Sequence, residues 1–296
     1  MLFWLGALSA AGFLLPERGF GLAAFALALG SVTAGLFAST FHLGRPERAW
    51  RALSQWRSSW LSREGVAALA TYVPTGAFAA GFVFLNETGG IWRIPALLTA
   101  IGAVATVLCT GYIYRSLKPV QRWHNGWVVP NYFALGLMAG FLLLDVVIRF
   151  WALWPIGTPI LTLLSIAVAW ALKETYWRFI DTTSAPSTVA SATALGSRGR
   201  VRLLEPPHTQ DNFLLQEMGY RIARKHRVRL RAIVRLAAFA LPLGLTLVAL
   251  FAAGSAGIFA AVLAVISMAL GLVIERWLFF AEAKHTVTLY YGAEAA

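Results

Sequence analysis

Two ionisable side chains lie at the predicted ends of strongly apolar segments. His42 closes one segment and Glu64 opens the next, so both are expected at the same depth at one edge of a membrane. Ionisable groups at that depth are costly and are usually paired or functional. An imidazole that hydrogen-bonds a quinone oxygen, beside a carboxyl group that takes or gives the accompanying proton, would form a quinone site. The structural alternative is an interfacial histidine and a glutamate favoured by the positive end of its helix.

Three further charged residues join this candidate quinone-binding set. Arg45 and Arg63 flank the two segment ends, where each is either part of the site or an anchor to lipid headgroups. Glu275, near the end of the last apolar segment, is expected at the same depth and is a candidate to line the same cavity as Glu64. We predict no residue that catalyses chemistry on another substrate.

Two charged pairs in other segments are interpreted as local neutralisation. Asp145 and Arg149 are one helical turn apart, and Lys173 and Glu174 are adjacent in the sequence. Opposite charges four residues apart face each other on a helix. These pairs are therefore predicted to be structural.

Haem and iron–sulfur clusters are not expected in this chain. A haem in a helix bundle commonly needs histidines on facing helices. Only His42 of the five histidines lies on a predicted span, and it lies at the edge. The single cysteine, Cys109, can neither form a disulfide within the chain nor supply the roughly four thiolates of a cluster. We expect no metal site, so any cluster belongs to another subunit.

The elements that position these residues are predicted to be transmembrane helices. The chain has 296 residues, 58% of them hydrophobic and 13% charged, and a mean hydropathy of +0.67. About 20 helical residues cross a bilayer core, and backbone groups within it must be satisfied internally. Segments such as 239–251 are apolar on every side, which favours helices over a barrel. The predicted fold is all-α and polytopic, a single transmembrane helical domain over residues 1–296 with about eight spans: Leu2–Leu15, Gly21–Phe41, Glu64–Leu85, Trp92–Arg115, Asn131–Phe150, Pro155–Trp170, Ala232–Ala252 and Gly257–Phe280.

The first apolar segment, Leu2–Leu15, is short for a span. Three interpretations stay open: a signal peptide, a helix whose first turn lies upstream of Met1, and a short helix in a tilted bundle. The absence of a basic stretch at its start argues against the signal peptide.

The positive charge predicts how the chain is oriented. The formal net charge is +12, and lysines and arginines are concentrated after the second, fourth and sixth spans and beyond the last one. Such residues accumulate in loops that stay cytoplasmic. We therefore expect both termini and the basic loops in the cytoplasm, with the chain in the inner membrane of a bacterium. The lipid bilayer explains the charge, and nucleic acid is not an expected partner.

The connection at about 174–230 is the predicted basic cytoplasmic loop. Residues 182–197 are rich in Ser, Thr and Ala, which is typical of a flexible linker. A helix is predicted over 211–235, with Asp211 as its N-cap. Its arginines indicate a helix lying on anionic lipid, a positive-inside anchor or a docking surface for a cytoplasmic partner.

The motifs around the candidate site resemble the DmsC family, the membrane anchors of dimethyl-sulfoxide-reductase-type molybdoenzymes. The resemblance is carried by His42-Leu43-Gly44-x-Pro46 with Arg48-Ala49, Leu61-Ser62-x-Glu64, Ile113-Tyr114-x-Ser116-Leu117-Lys118-Pro119, Trp123-His124 with Trp127, and Glu275-Arg276-x-Leu278-Phe279-Phe280 with His285. It implies an eight-helix anchor without haem, which exchanges electrons between a quinone and a docked ferredoxin-like iron–sulfur subunit. That protein in turn serves a molybdopterin catalytic subunit. The family's quinol-site histidine and glutamate match His42 and Glu64.

The long basic loop, with its segment 202–208, resembles the anchors of sulfite-oxidising relatives. In this family the histidine-bearing edge faces the partner subunits, and here that edge is predicted to be cytoplasmic. The resemblance thus implies transfer of electrons from sulfite to quinone. The alternatives are a menaquinol-oxidising anchor of a dimethyl sulfoxide reductase, a purely structural tether, and a transporter.

Overall fold

A computed structural model describes residues 1–41, 43–153, 157–184, 187–202, 204–205, 220–252 and 254–291. Within these residues the chain is 79% helical and has no strand. The bundle consists of α1 (Leu2–Ala10), α2 (Arg18–Phe41), α3 (Trp60–Leu85), α4 (Arg93–Arg115), α5 (Val128–Phe150), α6 (Gly157–Thr182), α7 (Arg227–Phe251) and α8 (Gly254–Ala281). The chain is an all-α polytopic membrane protein, as predicted.

Shorter helical segments occupy the connections. They are Pro46–Arg48 and Trp50–Leu53 before α3, Val189–Thr193, Gly196–Arg198 and Arg221–Lys225 before α7, and Thr286–Tyr291 after α8. Two spanning helices contain a π-helical turn, at Gly81–Leu85 in α3 and at Arg235–Ala240 in α7. Such turns shift the side chains that follow them around the helix axis.

Six of the described helices are long and apolar enough to cross a membrane: α2, α3, α4, α5, α7 and α8. The other two differ from their predicted segments. Helix α1 ends at Ala10 rather than Leu15, because the chain turns at Gly12, whose φ of +81° favours glycine. Helix α6 continues past the predicted end at Trp170 to Thr182, so the start of the predicted 174–230 loop belongs to this helix.

Helix α5 lies between two hydrophobic cores. One core joins α1, α2, α3 and α5 through aromatic side chains that include Phe20, Phe78 and Phe141. The other joins α5 to α6, α7 and α8 around Trp177 and Phe279. Because α5 contributes to both cores, it connects the two halves of the bundle.

The second half of α2 leaves the bundle. Its buried residues, from Phe20 to Ala28, all lie in its first half, whereas Phe37 and Phe41 near its end are 57% and 71% exposed. A hydrogen bond of 2.7 Å between Thr33 and Tyr72 connects this second half to α3. A wedge therefore opens between α2 and α3 toward the end of the bundle where His42 follows in the sequence.

Candidate functional site

Helix α3 presents Glu64 at one end of the bundle. The helix begins at Trp60, and the Ser59 hydroxyl caps it by accepting the Ser62 backbone N–H. Glu64 lies just beyond the first turn and is partly buried. The Thr110 hydroxyl of α4 donates a 2.6 Å hydrogen bond to its Oε1 atom. This bond fixes the rotation of α3 against α4 and leaves the second carboxylate oxygen for a ligand.

The two predicted arginines lie in the connection before α3. The Arg63 guanidinium donates to the carbonyl oxygens of Trp56 and Arg57, at 2.8 and 2.6 Å, and stacks over the Trp60 ring. Arg63 thus holds the shape of the loop that leads into α3. Arg45 is exposed, just before the turn Pro46–Arg48. His42 lies outside the described residues, so its separation from Glu64 stays a prediction.

Glu275 lies at the same end of the bundle but inside it. Its side chain is fully buried, and its two oxygens contact the ammonium of Lys173 and the Nε atom of Arg276. These two cations bracket the carboxylate between α6 and α8. Glu275 is therefore a component of a buried ion cluster, and the structure does not place it beside Glu64.

The interpretation of Lys173 and Glu174 as a neutralising pair was wrong. Lys173 pairs with Glu275, whereas Glu174 forms a two-pronged ion pair with Arg235 of α7, at 2.6 and 2.9 Å. Adjacent residues on a helix point in different directions, so each one meets a different neighbouring helix. The interpretation of Asp145 and Arg149 was correct, since Arg149 donates to Asp145 at 2.8 Å.

Two tyrosines connect the surroundings of Glu64 to those of Glu275. Tyr114 follows Thr110 by one turn of α4, and its ring stacks on that of Tyr132 at 5.6 Å. The Arg276 guanidinium lies over the Tyr132 ring, 4.6 Å from its centroid. Sequence reasoning missed Thr110, Tyr114, Tyr132 and Arg276 as neighbours of the site. Their only signal was a polar residue near the end of an apolar segment.

A second ion cluster corrects the interpretation of the basic loop. The predicted continuous helix over 211–235 is interrupted at His226, between Arg221–Lys225 and the start of α7, and its proposed cap, Asp211, lies outside the described residues. Arg231 does not lie on lipid. It is buried and donates to Asp181 at 2.5 Å and to Glu282 at 2.8 Å. This predicted lipid anchor instead joins α6, α7 and α8.

Basic side chains beyond the helices cap the end of α8. Arg122 and Arg224 donate to the carbonyl oxygens of residues 281–283 at 2.7 to 2.8 Å. Cations are favoured there by the negative end of the helix dipole. Burial lowers the pKa of Arg122, Arg224 and Lys284 from their usual values, and neighbouring arginines add to the lowering. We call this charged end of the bundle, which also carries Glu64, the basic face.

An apolar cavity of about 270 Å³ lies within the bundle, between helices α1 to α5. We call it the chamber. Ala68 and Thr106 line it, and each is four residues from a partner in the Glu64–Thr110 hydrogen bond. One helical turn rises about 5.4 Å. The chamber therefore ends about one turn below the Glu64 carboxylate.

These features define a class: a membrane-embedded helical protein with a partly buried carboxylate above an apolar chamber. Among the described residues, no three His, Cys, Asp or Glu side chains come together as a metal site. The family model of the DMSO reductase anchor subunit (DmsC) matches residues 21–292, and the chain belongs to that family. It is therefore a membrane anchor of an oxidoreductase complex, a family that implies molybdoenzyme and iron–sulfur partner subunits.

Two relatives differ in the reaction that their names give. The chain is 32% identical over 290 residues to a protein of Allochromatium vinosum that is named as one of the subunits of sulfite dehydrogenase, an alignment covering 91% of this chain and 85% of the relative. It is 28% identical over 130 residues to the anaerobic dimethyl sulfoxide reductase chain YnfH of Escherichia coli, covering 39% of this chain and 40% of that one. No solved structure matches the chain.

Proposed function

We propose that this anchor is quinone-reactive and that its quinone ring binds at Glu64 and His42 on the basic face. The observation that carries the proposal is the position of Glu64. Its carboxylate is partly buried, held by Thr110 and set above a chamber that reaches into the membrane. A carboxyl group so placed exchanges protons with a ring that arrives from the bilayer.

The proposed reaction takes electrons from sulfite. A partner protein oxidises sulfite and water to sulfate, releasing two electrons and two protons. An iron–sulfur protein docked on the basic face delivers the electrons, and the quinone takes them up with two protons to become a quinol. Glu64 passes protons to one quinone oxygen, and the His42 imidazole hydrogen-bonds the other. The greater likeness to the sulfite dehydrogenase relative favours this direction over quinol oxidation.

The remaining predicted residues have supporting roles in this proposal. Arg63 fixes the loop that leads to Glu64, and exposed Arg45 contributes positive charge at the rim. Glu275 acts at a distance, by holding Arg276 against the tyrosines beside Thr110. The basic face is cytoplasmic in this account, because lysine and arginine accumulate on that side of bacterial membranes.

The test compares two activities of the assembled complex. Glu64→Gln and His42→Ala are expected to lower quinone-linked sulfite oxidation by about 100-fold or more, the range of general acid–base catalysis. Oxidation of sulfite with a water-soluble dye should be unchanged, because the partner proteins carry it out. Glu47→Gln changes an exposed carboxylate in the neighbouring connection and serves as the control. Unaltered quinone kinetics in both site variants would leave only a structural tether.

A further inference from the structure

We propose that the chamber holds the polyprenyl tail of the quinone whose ring binds at Glu64. This inference rests on the proposed function and adds a second, apolar part to the site. The chamber lies within reach of the ring position, since Ala68 and Thr106 in its lining are one helical turn from Glu64 and Thr110. A ring held at the carboxylate would therefore direct its tail into the chamber.

The chamber offers nothing to a polar ligand. Five side-chain hydroxyl groups line its described part, and all of them are hydrogen-bonded within the protein. Four donate to the carbonyl oxygen four residues earlier, at 2.6 to 2.9 Å: Ser31, Thr71, Thr75 and Thr106. The fifth, Tyr72, shares its bond with Thr33. Apolar cavities of this kind stay dry and accept apolar guests.

Small residues on four different helices make the space. Ala28 of α2, Ala68 of α3, Ala103 of α4 and Gly136 of α5 all line the chamber. A methyl group added at Gly136 would meet no atom within 4 Å. The volume is therefore free for a guest.

The tail has a path from the bilayer. Ser31 and Gly136 line the chamber and are nevertheless exposed, which places its opening beside the second half of α2. That half of the helix carries no buried residue after Ala28. A hydrocarbon chain can thus slide in from lipid, next to the Thr33–Tyr72 hydrogen bond, without crossing a polar surface. This geometry fits a chain that belongs to a membrane-dissolved substrate.

The experiment fills the chamber and compares two quinones. Gly136→Leu projects a side chain into the space, and Gly136→Ala makes a smaller intrusion. Gly76→Leu is the matched control, because Gly76 is also a helix glycine whose added Cβ meets no atom within 4 Å, but it faces the bilayer outside the chamber. Quinone-linked sulfite oxidation by the intact complex is measured with a prenylated quinone and with a tail-less ring analogue.

Gly136→Leu is expected to raise the KM for the prenylated quinone at least tenfold and to leave the KM for the tail-less analogue within twofold. Gly136→Ala should give a smaller rise, and Gly76→Leu none. Dye-linked activity shows that each variant has assembled.

Two results overturn the inference. If the Gly136 variants change nothing while Glu64→Gln abolishes quinone turnover, the ring site stands and the chamber is not the tail site. If the wild type has the same KM for both quinones and loses a co-purified phospholipid in Gly136→Leu, the chamber holds an acyl chain. Loss of quinone turnover in no variant, Glu64→Gln included, would instead refute the proposed function.

Discussion

Lys173 of α6 and Glu275 of α8 form an ion pair in the interior of the bundle, where both side chains are almost completely buried. Arg276 contacts the other oxygen of the same carboxylate, at 2.5 Å. The Lys173 ammonium also lies over the rings of Tyr176 and Trp177, at 4.5 and 5.1 Å. A single carboxylate therefore compensates two cations and joins α6 to α8 near the basic face.

This arrangement predicts a large effect of removing the carboxylate charge. Glu275→Gln leaves two buried cations without a counter-charge, and breaking a buried pair costs about 3–5 kcal/mol. Glu174→Gln breaks the pair with Arg235, in which both side chains are about 40% exposed. Pairs of that kind contribute up to about 1 kcal/mol. The free energy of unfolding of each purified variant in detergent measures the difference, and similar losses in both would contradict a buried cluster.

A close helix contact predicts a steric effect at Gly6. A Cβ atom added to Gly6 of α1 would collide with the carbonyl oxygen of Ala96 in α4. Gly6→Ala must therefore push α1 away from α4, and overpacking of this kind costs about 1–3 kcal/mol. Gly35→Ala, where an added Cβ meets no atom within 4 Å, is the control. Thermal unfolding of both variants checks the prediction, which fails if Gly6→Ala is as stable as the control.

The cations around the end of α8 predict a pH dependence of stability. Burial and the nearby Arg122 and Arg224 lower the pKa of Lys284. The unfolded chain then binds more protons than the folded one in the window just below the ordinary lysine pKa of about 10.4, so this residue makes stability rise with pH there. Lys284→Met removes the effect. Its melting temperature should exceed that of the wild type near pH 7.5, by a margin that shrinks toward pH 10.

The margin in melting temperature is the quantity to follow, because other groups titrate in both proteins. Lys118→Met, at an exposed lysine of the connection between α4 and α5, provides the comparison. A margin for Lys284→Met that stays constant across this range would show that the repulsion from Arg122 and Arg224 does not act on Lys284.

Hydropathy predicted the helices well wherever a segment was uniformly apolar. It ended α6 too early, at Trp170, because charged residues from Lys173 to Asp181 interrupt the pattern. These residues are compensated by cations and carboxylates of α7 and α8, at least 50 positions away in the sequence. Only the packed bundle shows that a charged segment continues as a buried helix.

The candidate site was predictable in depth but not in its contacts. The position of Glu64 at the start of a span follows from the apolar run behind it, whereas its partner Thr110 depends on how α3 and α4 are rotated against each other. Segments that are apolar on every side carry little information about that rotation. The chamber was also invisible, since it arises from small residues on four separate helices, such as Ala68 and Gly136.

Photoaffinity labelling with an azido-quinone tests the central claim most directly. The assembled complex in membranes is illuminated with the labelled quinone, and the modified peptides are identified by mass spectrometry. We predict labels on the start of α3 around Glu64 and on α4 around Thr110, which disappear when excess unlabelled quinone competes. Competable labels confined to α6, α7 and α8, with none on α3 or α4, would contradict the quinone site proposed at Glu64.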